Sequence, residues 1–348
     1  MTGSDIGPDI SIDIAGFHID CPVMNGAGSC RTVEEVKSLA KSVISIIVVG
    51  SFTVEAREGN QGNAFWVGGI NDEDTRDIFS LNSRGLPNQG IKYCEQVIPE
   101  MAEIVHKAGK LLCVSVAGFT PQEYVILAKV AFALGADIVE LNLSCPNVWK
   151  DGAQERIACF DPNLVTEILK SVQEAVDLEA KIFVKLSPIL DSYLLKEVTN
   201  VIAQFEIVKA VVSINTVPNS LLFDKTGRPR ITVGQGLAGL GGPAVKPIAI
   251  GQVIQLRNLL PKNIDIVYSG GVTHGRDIVD AQLAGAKVVQ MCTYLLDFPP
   301  ETWPIVFARS MLEYSDELEK RQSAKTKSPL NAGFLFRYCQ TYPSKTSI

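Results

Sequence analysis

The chain has 348 residues, 46% of them hydrophobic and 20% charged, with a formal net charge of −6. This near-average composition excludes disordered and collagen-like classes, and the net acidity argues against a nucleic-acid surface or binding to anionic membranes. At roughly 150 residues per domain the length suggests about two domains, although α/β barrels often run to about 250 residues as one unit.

Met1 to Ile12 has neither a basic n-region nor an apolar h-region, so no signal peptide is expected. The longest apolar stretch, Ile44 to Val49, is interrupted by Ser45 and falls far short of the ~20 residues of a membrane span. A soluble cytoplasmic protein without a membrane partner is the expectation. The eight cysteines include no C-x-x-C pair, so no metal site is expected. Most of them read as buried thiols.

In chain order, Asp9–Ile14 and Phe17–Asp20 alternate around Ala15-Gly16 and predict a hairpin. Val23–Gly28 predicts a strand. Thr32 caps a helix to Ala40, with Glu35 placed for a capping box. Ser45–Ser51 is an apolar strand. Thr53–Pro87 reads as a polar, glycine-rich insertion, longer than a structural connection needs. A helix over Gln89–Lys107 follows.

The rhythm then becomes regular. Strands are predicted at Leu111–Val116, Asp137–Leu143, Lys181–Leu186, Ala210–Asn215, Asp265–Tyr268 and Lys287–Cys292. Helices alternate with them at Pro121–Leu134, Asn163–Val176, Asp191–Phe205, Ala244–Asn258, Gly275–Ala284 and Glu301–Arg321. Counted from Val23, this makes eight strands, each followed by a helix. Continuous Val/Ile runs suit strands buried on both faces. The fold class is therefore a (β/α)8 TIM barrel with an N-terminal β-hairpin and active-site insertions. The barrel is expected to occupy residues 1–321 as one catalytic domain, with 322–348 as a C-terminal extension.

In such a barrel the chemistry lies at the C-terminal strand ends. The small residues Ala27 and Gly28 after the first strand let a flat ring approach the backbone. Gly236, Gly239, Gly241, Gly242, Gly270 and Gly271 cluster late in the chain, where this fold binds phosphate; a flexible loop is the plainer reading. Lys185 interrupts the apolar strand Ile182–Leu186. A lysine there needs either an internal salt bridge or a task beside an electron-rich ring. Asn82, Asn142, Asn147 and Asn215 gather uncharged donors and acceptors, as a planar ligand with alternating C=O and N–H groups requires. Asn88 reads as a turn residue. Cys145, between Ser144 and Pro146, is either an inert thiol or a base. The loop Val148–Phe160 after it has the character of a mobile lid. Of the histidines, only His274 lies near this face, as a cap of its loop.

Five segments carry a resemblance. Asn25–Gly28, Asn82–Asn88, Leu141–Asn147, Lys185–Pro188 and Ser269–Val272 are similar to the dihydroorotate dehydrogenase family, over roughly Ile10 to Glu319. Cys145 in Asn-Leu-Ser-Cys-Pro-Asn resembles the soluble class 1 enzymes. The resemblance implies bound FMN and oxidation of a C–C bond to C=C, most like dihydroorotate to orotate in pyrimidine biosynthesis. It implies Cys145 as base and Lys185 as the cation at the flavin edge. Asn82, Arg84, Gly85, Leu86, Asn142, Asn147, Asn215 and Thr216 would meet the substrate. Ala27, Gly28, Gly50, Ser51, Ser115, Asn142, Lys185 and Asn215 would meet the flavin, and Gly241, Gly242, Gly270, Gly271, Cys292 and Thr293 its phosphate end. A homodimer is implied, and an iron–sulfur relay to NAD would need a partner subunit.

Three departures stand out. Gly50 occupies the place of a strand lysine that contacts flavin and the substrate carboxylate, Arg84 that of a methionine, and Cys292 that of a glycine. Arg84 is a candidate replacement for the lost cation, unless it points to solvent. The same departures leave open a related flavoenzyme acting on another cyclic or amide compound; against a non-catalytic flavin-binding barrel stand the retained Cys145, Lys185 and four asparagines.

Overall fold

The computed structural model describes residues 9–69, 79–150 and 153–327. β1 (Ile12–Ile14) and β2 (Phe17–Ile19) form the expected hairpin, turning through Ala15 and Gly16 at positive φ. β3 (Val23–Asn25) leads into α1 (Val33–Ala40), whose Thr32–Glu35 capping box is present. β4 (Ile46–Phe52) is buried along its whole length. β5 (Phe65–Gly68) and β6 (Phe79–Asn82) follow, then α2 (Gly90–Lys107), β7 (Leu111–Val116), α3 (Pro121–Ala133) and β8 (Ile138–Asn142). A short hairpin, β9 (Trp149–Lys150) and β10 (Ala153–Gln154), precedes α4 (Pro162–Ala175), β11 (Ile182–Leu186), α5 (Ser192–Ile202) and β12 (Val208–Ser213). The chain continues through β13 (Val217–Ser220), β14 (Ala238–Gly241), α6 (Lys246–Leu259), β15 (Asp265–Ser269), α7 (Gly275–Ala284), β16 (Val288–Met291) and α8 (Trp303–Lys327). Thr120, Asp161 and Asp191 cap α3, α4 and α5 by accepting hydrogen bonds from first-turn amides, the role short polar side chains play at helix starts.

Eight parallel strands close into a barrel in the order β3, β4, β7, β8, β11, β12, β15, β16 and back to β3. The (β/α)8 expectation holds. A large apolar layer lies between strands and helices, as sheets buried on both faces require. A second core fills the barrel's lower interior. In it Ile14 and Ile19 of the hairpin pack with Met24, Ile46, Val48, Phe183 and Val267 from the strands. The Ala15 amide donates to Asp265 Oδ2 at 2.9 Å and anchors the hairpin to β15. The hairpin therefore plugs the N-terminal end, and the opposite end is left for chemistry.

Two differences from the sequence reading concern that end. The segment Thr53–Pro87 contains β5 and β6, and the stretch after β12 contains β13 and β14. Together they make a four-stranded antiparallel sheet in the order β13, β14, β6, β5. Its own core is Phe79, Leu81, Ile231 and Ala238, with Trp66 packed against it. Strands this short, set among glycines and polar residues, carry little periodic signal. The last helix also runs past Arg321 to Lys327, so the boundary expected at 321/322 falls inside α8. The remainder of the extension lies outside the described residues.

Candidate active site

The C-terminal strand ends and the four-stranded sheet enclose a cleft of about 1160 Å³, open mouth included. β3 delivers Ala27 and Gly28, β4 Ser51, β8 Asn142, β11 Lys185, β12 Ile214, Asn215 and Thr216, β15 Ser269 to Gly271, and β16 Gln290, Cys292 and Thr293. The sheet contributes Ser80, Asn82 and Gly241, and the segment after β6 contributes Arg84, Gly85 and Leu86. Cys145 and Asn147 reach the cleft from the segment after β8. All four singled-out asparagines, Cys145 and Lys185 thus line one cavity.

A buried polar network crosses the barrel beneath this cleft. Lys185 Nζ lies 3.7 Å from Glu140 Oε1 and donates to Gln290 Oε1 at 3.2 Å. Gln290 Nε2 donates to Glu140 Oε2 at 2.8 Å, and Ser115 Oγ donates to Glu140 Oε1 at 2.9 Å. Ser115 and Ser51 hydroxyls are 2.8 Å apart, and Asn142 Nδ2 donates to Ser51 Oγ at 3.1 Å. Asn142 Oδ1 in turn accepts from Ser144 Oγ at 2.8 Å and from Asn215 Nδ2 at 3.3 Å. Fully partnered networks of this kind fix side-chain orientation in a low-dielectric interior. The two readings of Lys185 turn out compatible: it has an internal counter-ion and still faces the cleft.

Cys145 is half-buried, and burial pushes its thiol up to about 11; the Asn147 backbone amide and then Arg57 pull the other way. Burial is also the leading cause of the raised Cys292 thiol, with Lys185, Arg31 and Arg84 opposing it. Cys292 Sγ lies 3.6 Å from the Ala27 carbonyl oxygen. Cys145 also borders a second cavity, beside the β9–β10 hairpin, with Arg57, Phe119, Tyr124 and Trp149 on its walls. This hairpin lies within the segment read as a lid; Asp151 and Gly152 lie outside the described residues.

Two sequence candidates stand away from the cleft wall. Gly50 has φ +108°, and a Cβ there would sit 2.4 Å from the Ser115 carbonyl oxygen. The backbone is pressed against β7, so no side chain fits and Ser51 takes the wall position instead. Ser115 points into the network and touches the site only through Ser51 and Glu140. Arg84 does not simply enter solvent: it lines the cleft with its guanidinium 3.9 Å over the Phe65 ring. His274 precedes α7 and hydrogen-bonds with Thr273, outside the cleft. Asn88 serves the turn, its Oδ1 accepting from the Thr53 and Gly90 amides.

The sequence reading missed Arg31, Ser80, Glu140 and Gln290. The last two are polar residues in apolar strands, the same signal that singled out Lys185. Ser80 lies two residues before Asn82, and so on the same strand face. Arg31 had no such signal.

The residues fit the flavin mononucleotide implied by the resemblance. Gly271 has φ +77°, and a Cβ there would stand 2.5 Å from the Gly242 carbonyl oxygen, so this corner admits only bare backbone. Beside it, the Ser80 and Thr293 hydroxyls lie 3.1 Å apart, positioned as phosphate donors. Thr216 Oγ1, on the cleft wall, is buried without a hydrogen-bond partner among the described residues, as a group awaiting a ligand would be.

Comparisons with known proteins agree. Residues 10–302 match the family model described as dihydroorotate dehydrogenase. The chain is 32% identical over 296 residues to a Streptococcus agalactiae serotype Ia relative named dihydroorotate dehydrogenase A (fumarate), covering 84% of this chain and 89% of the relative. It is 32% identical over 321 residues to an Enterococcus faecalis relative of the same name, covering 91% and 95%. Among solved structures, the crystal structure of DHODH from Eimeria tenella in complex with ferulenol superposes with a TM-score of 0.74 at 18% identity, covering 92% of this chain and 87% of that one, which shows a shared fold.

Proposed function

The chain belongs to the dihydroorotate dehydrogenase family, and from that premise we propose that its cleft oxidises dihydroorotate to orotate, with Cys145 as the base. It is an FMN-dependent oxidoreductase acting on CH–CH groups. The observation that carries the proposal is the convergence of Cys145, Lys185 and the four asparagines on one wall system.

FMN, when bound, would supply the two-electron acceptor for the substrate's hydride. The protein's share is to hold the ring, remove a proton and balance charge. Asn82, Asn142, Asn147, Asn215 and Thr216 hydrogen-bond the pyrimidine C=O and N–H groups. Orientation is fixed in advance, because Asn142 and Asn215 are already locked to each other. The Cys145 thiolate takes the proton from the ring carbon beside a carbonyl. The electron pair left behind closes the C=C bond as the hydride leaves the neighbouring carbon, and the thiolate becomes a thiol. Lys185 would hold a positive charge against the electron-rich flavin edge, and Glu140 with Gln290 fixes its position. Ala27, Gly28 and Ser51 would line the flavin, and Gly241, Gly242, Gly270, Gly271, Cys292 and Thr293 would surround its phosphate end. The reading extends to a cytoplasmic homodimer working in pyrimidine biosynthesis, and family membership is what supports it.

Removing the base should separate binding from chemistry. Cys145→Ala is expected to keep its flavin absorbance and its orotate affinity and to lose dihydroorotate oxidation by about 10²-fold or more. Turnover within about threefold of the unaltered enzyme would refute Cys145 as the base.

A further inference from the structure

The cleft wall carries three cationic side chains, Arg31, Arg84 and Lys185, and no aspartate or glutamate among its described residues. Lys185 already has Glu140 and Gln290. The two arginines have no acidic side-chain partner among the described residues. The Arg84 guanidinium carbon lies 3.9 Å over the Phe65 ring, and the guanidinium N–H donors have no hydrogen-bond partner among the described residues. The Arg31 main chain is pinned, its amide donating to Glu35 Oε2 at 2.7 Å. That carboxylate also accepts from the Thr32 amide at the start of α1. The Arg31 side chain is half-buried, and its Nε is buried with no hydrogen-bond partner among the described residues. The two guanidinium groups bear on each other: burial and then Arg31 lower the Arg84 pKa. Two neighbouring, partly buried cations, with no acidic side chain within ion-pair distance among the described residues, are unfavourable until an anion joins them.

We propose that Arg31 and Arg84 form an anion-binding pair that takes the carboxylate of a small cyclic or acyclic acid, and so sets the substrate class of the cleft. The proposal rests on the reading of the cleft as a dihydroorotate site only for the identity of that acid. The glycine corner by Ser80 and Thr293 is the place for the cofactor's phosphate, so the arginines are left for the substrate. The asparagines read the ring, and the arginine pair reads its charge. A ring without a carboxylate loses only the second part.

The test is an equilibrium titration of the FMN-loaded enzyme, followed by the perturbation of its flavin absorbance. The probes are orotate, uracil as the same ring without a carboxylate, and succinate as a carboxylate without the ring. Arg31→Met, Arg84→Met and the double variant are compared, with Arg84→Lys as the conservative control. Orotate and succinate dissociation constants should rise about tenfold or more in each single variant, and the uracil constant should stay within about twofold. Arg84→Lys should recover part of the loss. If orotate affinity is unchanged in the double variant, or orotate and uracil weaken equally, the pair is not a carboxylate site. Weaker FMN retention in the variants, with orotate affinity unchanged in their flavin-loaded fraction, assigns the arginines to the cofactor phosphate and overturns the proposal. If the unaltered enzyme binds succinate in an arginine-dependent way but not orotate, the pair stands and the dihydroorotate reading falls.

Discussion

Cys145 is held as a thiol at neutral pH, because burial pushes it up to about 11. The reactive form is the thiolate, so only a small fraction is competent near pH 7. Below the thiol's pKa each added pH unit multiplies the thiolate about tenfold. The rate at which dihydroorotate reduces the enzyme should therefore climb close to tenfold per unit from pH 6 to 9, in a stopped-flow series under anaerobic conditions. A flat profile would mean that the proton leaves by another group. The site was legible at this scale where a residue type violated its surroundings. Lys185 in an apolar strand and Cys145 between serine and proline both did so. Glu140 and Gln290 carry the same signal, but beneath the strand ends rather than at them. Arg31 was not legible: an arginine after a glycine-rich loop reads as ordinary surface, and only the closed barrel turns it towards the cleft.

At the scale of elements, β4 shows a backbone constraint that decides chemistry. Gly50 admits no Cβ, because one would meet the Ser115 carbonyl oxygen at 2.4 Å and φ is +108°. Gly50→Ala is expected to cost about 1–3 kcal/mol, read as a lower denaturation midpoint, and to disturb the Ser51–Ser115–Glu140 chain. Unchanged stability would show that β4 is free to move away from β7. By the same contact, a lysine placed at position 50 would not fit without moving β4. The helices were legible to within a few residues, since their caps are written in Thr32, Thr120, Asp161 and Asp191. The sheet over the mouth was not. β5, β6, β13 and β14 are each four residues long, and β6 and β14, far apart in sequence, pair with each other. Such pairing is set by the barrel that brings them together.

At the scale of the molecule, the barrel's two ends do different work. The lower end is closed by the hairpin, with Ile14 fully buried against strand residues. The upper end carries the cleft. Ile14→Ala should lower unfolding stability by about 2–5 kcal/mol in a denaturant titration and leave the flavin spectrum and orotate affinity unchanged. A change in the flavin spectrum would contradict the separation of the ends. The eight-fold alternation made the barrel readable from hydrophobic runs alone, and the glycines acquired meaning only by their place around it. The account's central claim is that this cleft oxidises dihydroorotate. Its most direct test is anaerobic titration of the oxidised enzyme with dihydroorotate, watching the flavin absorbance and the orotate formed. The account predicts that about one equivalent bleaches the flavin and yields an equal amount of orotate. A flavin that stays oxidised in excess dihydroorotate, yet is bleached by dithionite, would contradict it.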